Sequence, residues 1–202
     1  MPIIKREKTV LSYFQNLIAV AAFNQNFQMD ESLRFYLANL LSTYLRTENL
    51  YPPYIKSSDE PLAIILKKAS EAEKRTKYKL LKHVGDISLY TAGFFSDSLN
   101  RKAVGIDYYV SIGRVAYDTL AYDLITATIF PVPNEVFIKL SKNFPNYVKL
   151  LNEVSERTAV TSNSDIIKLY ERWLRTGCER VAKILRKLGI YPNSKIKTHI
   201  EH

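Results

Sequence analysis

The sequence predicts an all-α fold, a single-domain bundle of six or seven helices over residues 1–192 with a loose C-terminal tail at 193–202. Three observations carry that prediction. Apolar residues recur at three- and four-residue spacing, as in Leu33, Tyr36, Leu37, Leu40, Leu41 and Tyr44. Prolines gather between such runs, at Pro52 and Pro53 and again at Pro131 and Pro133, where they forbid a helix from continuing. Residues that cap helices, Asp30, Asn134 and Ser164, stand just ahead of apolar runs. The chain of 202 residues is long enough to bury a core of its own.

Taken in order, "VLSYFQNLIAVAAF" predicts a first helix over about 7–24, and Asp30 opens a second that ends before Pro52. Pro61 suits a first helical position and opens "PLAIILKKASEAEKR". Long helices are predicted from about 74 to 95 and from about 103 to 128. Asn134 caps "EVFIKLSKNF", which Pro145 separates from "NYVKLLNEVSERT". The last helix, capped by Ser164, carries one apolar stripe through Trp173, Leu174, Gly177, Val181 and Leu185, and Gly189 and Pro192 stop it.

The net charge of +9 is the largest compositional departure. It gathers in residues 67–82, with seven basic against two acidic side chains, and in residues 165–202, with nine against four. Such faces either keep a protein in solution or bind polyanions. Lys74, Arg75 and Lys79 in the first region, and Arg172, Arg175 and Lys183 in the second, are the candidate polyanion-binding residues. No apolar run approaches the length needed to cross a bilayer. The start of the chain lacks the pattern of a signal peptide. One cysteine, Cys178, excludes an internal disulfide, and its neighbours Leu174 and Val181 predict a buried thiol. The expectation is a soluble, cytoplasmic protein.

Residues 81–117, "LKHVGDISLYTAGFFSDSLNRKAVGIDYYVSIGRVAY", hold four of the six glycines. The β-branched and aromatic residues also suit a strand hairpin. Helices are the better reading, because both halves run on without punctuation into helical patterns. Gly85 and Gly93 are eight apart, as are Gly105 and Gly113. Folded as an antiparallel helical hairpin turning near Asn100, the segment would set Asp86 beside Arg114, Gly85 beside Val115 and Gly93 beside Asp107. Glycine inside a helix costs about 1 kcal/mol relative to alanine, so close backbone approach or room for a bound group has to compensate.

"GDISLYTAGFFSDSL", "IDYYVSIGRVAY", "LYERWLRTGCER" and "FYLANLL" together resemble a family of uncharacterised bacterial helical proteins, over roughly residues 33–189. The resemblance implies a bacterial source and a stand-alone domain. It supplies no activity, cofactor or site residue.

His83 and Asp86 share a helical face with Tyr90 one turn on, a spacing that suits a general base and its orienter. A partly buried structural histidine beside a structural Asp86–Arg114 ion pair is the preferred reading of the same residues. No Glu-x-x-His pair, zinc spacing, phosphate loop or dinucleotide fingerprint occurs, so neither metal nor cofactor is expected. Aromatic residues crowd the glycines, either as packing or as a flat apolar pocket. For the pocket, Tyr90, Gly93, Phe94, Tyr109, Gly113 and Tyr117 are the candidate ligand- or partner-binding residues. The leading expectation is a non-enzymatic binding or scaffold protein engaging a partner protein or apolar ligand at this hairpin. Polyanion binding through the basic faces is the alternative, and an enzyme using His83 and Asp86 the third.

Overall fold

The computed structural model describes residues 9–45, 55, 60–99, 105–126, 134–159, 170, 173, 174, 177–187 and 190. Every regular element among them is a helix, so the fold is all-α. Contacts separate two compact units, Met1–Thr47 with Glu156–His202, and Glu48–Ser155. The first holds α1 (Val10–Asn24), α2 (Glu31–Tyr44) and α9 (Glu179–Lys187); the second holds α3 (Leu62–Glu71), α4 (Lys74–Phe94), α5 (Ser96–Leu99), α6 (Ile106–Thr126), α7 (Asn134–Lys142) and most of α8 (Phe144–Ala159).

In the first unit, side chains close both opening helix ends. Thr9 caps α1 by accepting from the Ser12 amide at 3.2 Å, and Asp30 caps α2 by accepting from Leu33 at 2.8 Å. Both satisfy amides that no earlier turn can reach. α1 buries Phe14, Ile18 and Ala21 and packs on α2, which buries Leu33, Leu37 and Leu41. The continuous last helix expected from the sequence does not form. Gly177 adopts φ +62°, and its amide closes the preceding turn by donating to the Trp173 carbonyl. That left-handed conformation suits glycine and ends a helix. A fresh helix, α9, starts at Glu179, with the Cys178 carbonyl accepting from Val181 and Ala182. The break turns Cys178 outward, so the thiol expected to be buried is exposed. The expected Ser164 cap, the Gly189–Pro192 stop, Pro52, Pro53 and the turn near Asn100 lie outside the described residues.

The second unit is organised around α4. α3 and α6 pack along it, and α8 reaches its C-terminal end. There the Ser155 hydroxyl donates to the Phe94 carbonyl at 2.9 Å, and the Ser96 hydroxyl donates to Asn152 at 2.6 Å. Pro61 gives α3 no capping side chain. Its Ala63 amide is met instead by the Tyr108 hydroxyl of α6 at 3.3 Å. α7 begins at Asn134, and Pro145 sits in the first turn of α8, where a missing amide costs nothing.

The hairpin of α4 and α6 is antiparallel, as expected, but its register lies a residue or two further along α6. Gly85 faces Tyr117 and Ser88 faces Gly113, while the long Lys77 side chain still reaches Asp123, its partner in the expected register, at 2.8 Å. The glycines explain why. A methyl on Gly85 would meet the Tyr117 ring at 2.5 Å, and one on Gly113 would meet the Phe144 ring at 2.4 Å and Ser88 Cβ at 2.8 Å. Gly93 faces α8 rather than Asp107, and a methyl there would stand 2.6 Å from Leu151 Cβ. Asp107 is exposed. Gly105, by contrast, has nothing within 4 Å.

Alanine would gain about 1 kcal/mol of helix propensity at Gly93. Pushing α8 away from α4 costs more, about 1–3 kcal/mol of overpacking, because Leu151 Cβ cannot swing aside without its backbone. Gly93→Ala is therefore expected to lower the melting temperature, and Gly105→Ala, which displaces no neighbour and costs only the preference for glycine just ahead of α6, to lower it less. Thermal unfolding followed by circular dichroism checks the pair.

Candidate functional site

The chemistry-bearing side chains of α4 repeat one turn apart. Tyr78, Lys82 and Asp86 follow one another at four-residue spacing, with His83 beside them. Asp86 and His83 are each only 6% exposed. A bare carboxylate at such burial would be costly, and both of its oxygens are engaged. The Tyr117 hydroxyl donates to Oδ1 at 2.7 Å from α6, and Lys82 donates to Oδ2 from the next turn of α4. Arg114, the expected partner, lies on the exposed side of α6. Tyr117, one turn further on, points inward instead. A neutral tyrosine clamp therefore replaces the expected ion pair between helices.

The electrostatics follow from burial. Desolvation lowers the His83 pKa below the ordinary 6.5; Asp86 pulls it back up and Lys82 adds to the lowering. Burial raises the Tyr78 pKa, Lys82 lowers it and Asp86 raises it further. Both shifts favour the uncharged form, so at neutral pH His83 is a neutral imidazole and Tyr78 a protonated phenol. For Asp86 to take a proton from a substrate it would have to give up a partner it already has. The arrangement fastens α4 to α6.

The expected ligand residues are brought together only in part. Tyr90 is buried, stacked on Phe94 at 5.5 Å and edge-on to Phe95 at 5.3 Å. Tyr109 is half-buried against Tyr108, ring centroids 5.3 Å apart. Tyr117 is wholly buried between Phe137 and Phe144, at 5.8 and 6.0 Å. Gly93 and Gly113 sit under Leu151 and Phe144, so protein atoms already occupy the room that each glycine leaves. Beside Gly113, the fully buried Ser88 hydroxyl has no hydrogen-bond partner.

The basic candidates divide likewise. Lys74, Arg75 and Lys79 are exposed on the first turns of α4, and Lys183 is exposed on α9. Arg172 and Arg175 lie outside the described residues. Within 67–82, carboxylates neutralise three of the seven basic side chains: Glu60 pairs with Lys68, Asp123 with Lys77 and Asp86 with Lys82. Among the described residues no helix is long and apolar enough to cross a membrane, and no three His, Cys, Asp or Glu side chains gather as a metal would require.

The outward face of α6 is not marked by any motif or charge run in the sequence. Val115, Tyr122 and Ile125 are 51%, 67% and 60% exposed on the side of α6 opposite its buried Ala116, Leu120 and Leu124. The available signal was a helix with apolar residues on both sides, where a core-packed helix needs only one. Comparison with protein-family models, curated proteins and solved structures finds no match to this chain.

Because burial depresses the His83 pKa, the unfolded chain binds a proton that the folded chain resists. The stability contributed by neutral His83 is complete above the unfolded value of 6.5 and is lost as pH falls below it toward the folded value. The melting temperature is expected to drop as the buffer is taken below pH 6.5, and His83→Gln to flatten that drop. Parallel melts across the pH range check the sign.

Proposed function

We propose that this chain is a non-enzymatic bacterial binding protein of the cytoplasm, and that it engages a partner protein through the outward face of α6. One observation carries the reading: Val115, Tyr122 and Ile125 stand exposed along one side of a helix whose other side is core. Single exposed apolar residues are ordinary; here three share one side of a single helix with the charged Arg114 and Asp118, the mixed make-up of a contact surface that forms and separates. Each is already partly covered, so burying the remainder would return about half to two-thirds of the ~1.5–3 kcal/mol of a full burial. The filled space at Gly85, Gly93 and Gly113 favours engagement on this outer face over a small apolar ligand between the helices.

The test places a photo-cross-linking residue at Tyr122 and, as control, at the exposed Lys142 of α7. Irradiation in the native cell is expected to join a protein to position 122 and not to position 142. Equal labelling at the two positions would end the reading. The double variant Val115→Glu, Tyr122→Glu is expected to melt close to the parent chain, since surface changes move stability by only about 0.5 kcal/mol.

A second reading, polyanion binding, has one observation in its favour. α4 opens with Lys74 and Arg75, has no acid in its first turn and receives no side-chain cap from Glu73. Cations at the positive end of a helix dipole are unfavourable by about 0.3–1 kcal/mol each unless an anion answers them. Exposed Glu71 and Glu73 stand nearby and weaken the patch. Binding of this kind would show as retention on heparin that falls steeply with salt and is lost in a Lys74→Glu, Arg75→Glu, Lys79→Glu variant. No retention at low salt would exclude it.

A further inference from the structure

The outward face of α6 carries charge as well as apolar surface, and the order of its residues points to what covers it. Arg114, Val115, Asp118, Tyr122 and Ile125 are all exposed. At about 100° per residue they fall within an arc of about 100° on the helix. The chain as a whole carries +9, so two copies repel over most of their surface. This face does not share that field, because the exposed Asp107 and Asp118 lie in the same arc as its single cation, Arg114. It is also complementary to itself. An antiparallel α6–α6 crossing at the level of residue 117 would set Arg114 within about 3 Å, along the axis, of the partner subunit's Asp118. The same crossing would set Val115 within about 4.5 Å of the partner subunit's Tyr122, taking about 1.5 Å rise per residue. A two-fold axis forms each of these contacts twice. An unrelated protein would gain nothing from such self-matching.

From this we infer that the partner is a second copy of this chain, docked antiparallel through α6. The inference rests on the reading of α6 as a contact face. The experiment is sedimentation velocity on the full chain over a range of micromolar concentrations. A dimer that dissociates on dilution is expected, and Tyr122→Glu is expected to leave monomer. Arg114→Asp and Asp118→Arg are each expected to weaken the dimer about tenfold or more, because each sets like charges against one another. An equimolar mixture of those two variants is expected to recover association, since the mixed pair restores both opposite-charge contacts. Far-ultraviolet circular dichroism spectra matching the parent confirm that the variants are folded, their melts falling only by what dissociation removes.

A parent chain that stays monomeric overturns the inference, as does a dimer that none of these substitutions moves, or a mixture that fails to recover. The cross-link at Tyr122 separates the two readings. A monomeric chain that cross-links a different protein there removes the second copy and keeps α6 as a docking face. A monomeric chain whose position 122 gives no product above the Lys142 control, or only a cross-link within one chain, removes both.

Discussion

α4 has neighbours nearer than any side chain at three of its contacts would allow. The Tyr117 ring occupies the place of a Gly85 methyl, Leu151 that of a Gly93 methyl, and Ser88 meets α6 at a residue, Gly113, that has none. Each glycine forfeits about 1 kcal/mol of helix propensity. The return is dense packing of Tyr117, Phe144 and Leu151, all fully buried. At about 1.5–3 kcal/mol for each large apolar side chain taken out of water, burial outweighs the propensity lost. The rest of the second unit follows, because this approach fixes the rotation and register of α6.

Once α6 is seated, its two sides acquire separate roles. Tyr117 turns inward and its hydroxyl reaches Asp86. The carboxylate then tolerates burial because Lys82 holds its other oxygen. A buried ion pair adds little net stability against an apolar alternative, but losing one partner is costly. The cluster is therefore better understood as a lock on the α4–α6 register than as a reacting group. His83, neutral and desolvated beside it, belongs to the same lock. The same rotation turns Arg114, Val115, Asp118 and Tyr122 to the outside.

Charge tells a similar story. The lysine-rich stretch at 67–82 is less of a patch in three dimensions than along the chain, because Glu60, Asp123 and Asp86 come from other turns or other helices to neutralise part of it. Ion pairs at partly exposed positions are worth roughly 0–1 kcal/mol, so they hardly stabilise the fold. They do lower the field available to a polyanion. Apolar exposure on α6 is unaffected by that neutralisation, which is why it carries the functional reading.

Much of this was legible from local chemistry. The helical class follows from three- and four-residue periodicity. The Asp30 cap, the Pro145 boundary and the antiparallel hairpin follow from short-range stereochemistry, and so does the tight packing announced by glycines among aromatics. Local rules act within a turn or two, so they reach that far and no further. Whether Gly177 continues a helix or ends one depends on a left-handed φ that glycine permits without requiring. Whether Asp86 meets Arg114 or Tyr117 depends on a register shift of a residue or two, too fine for a hydrophobic pattern to resolve. Whether Val115, Tyr122 and Ile125 are core or surface depends on which side of α6 its neighbours cover. Composition and spacing determined that the chain is helical and where α4 would be approached closely. Tertiary packing alone decided which side chains meet there and which remain in water, because both are set by the relative rotation of whole helices.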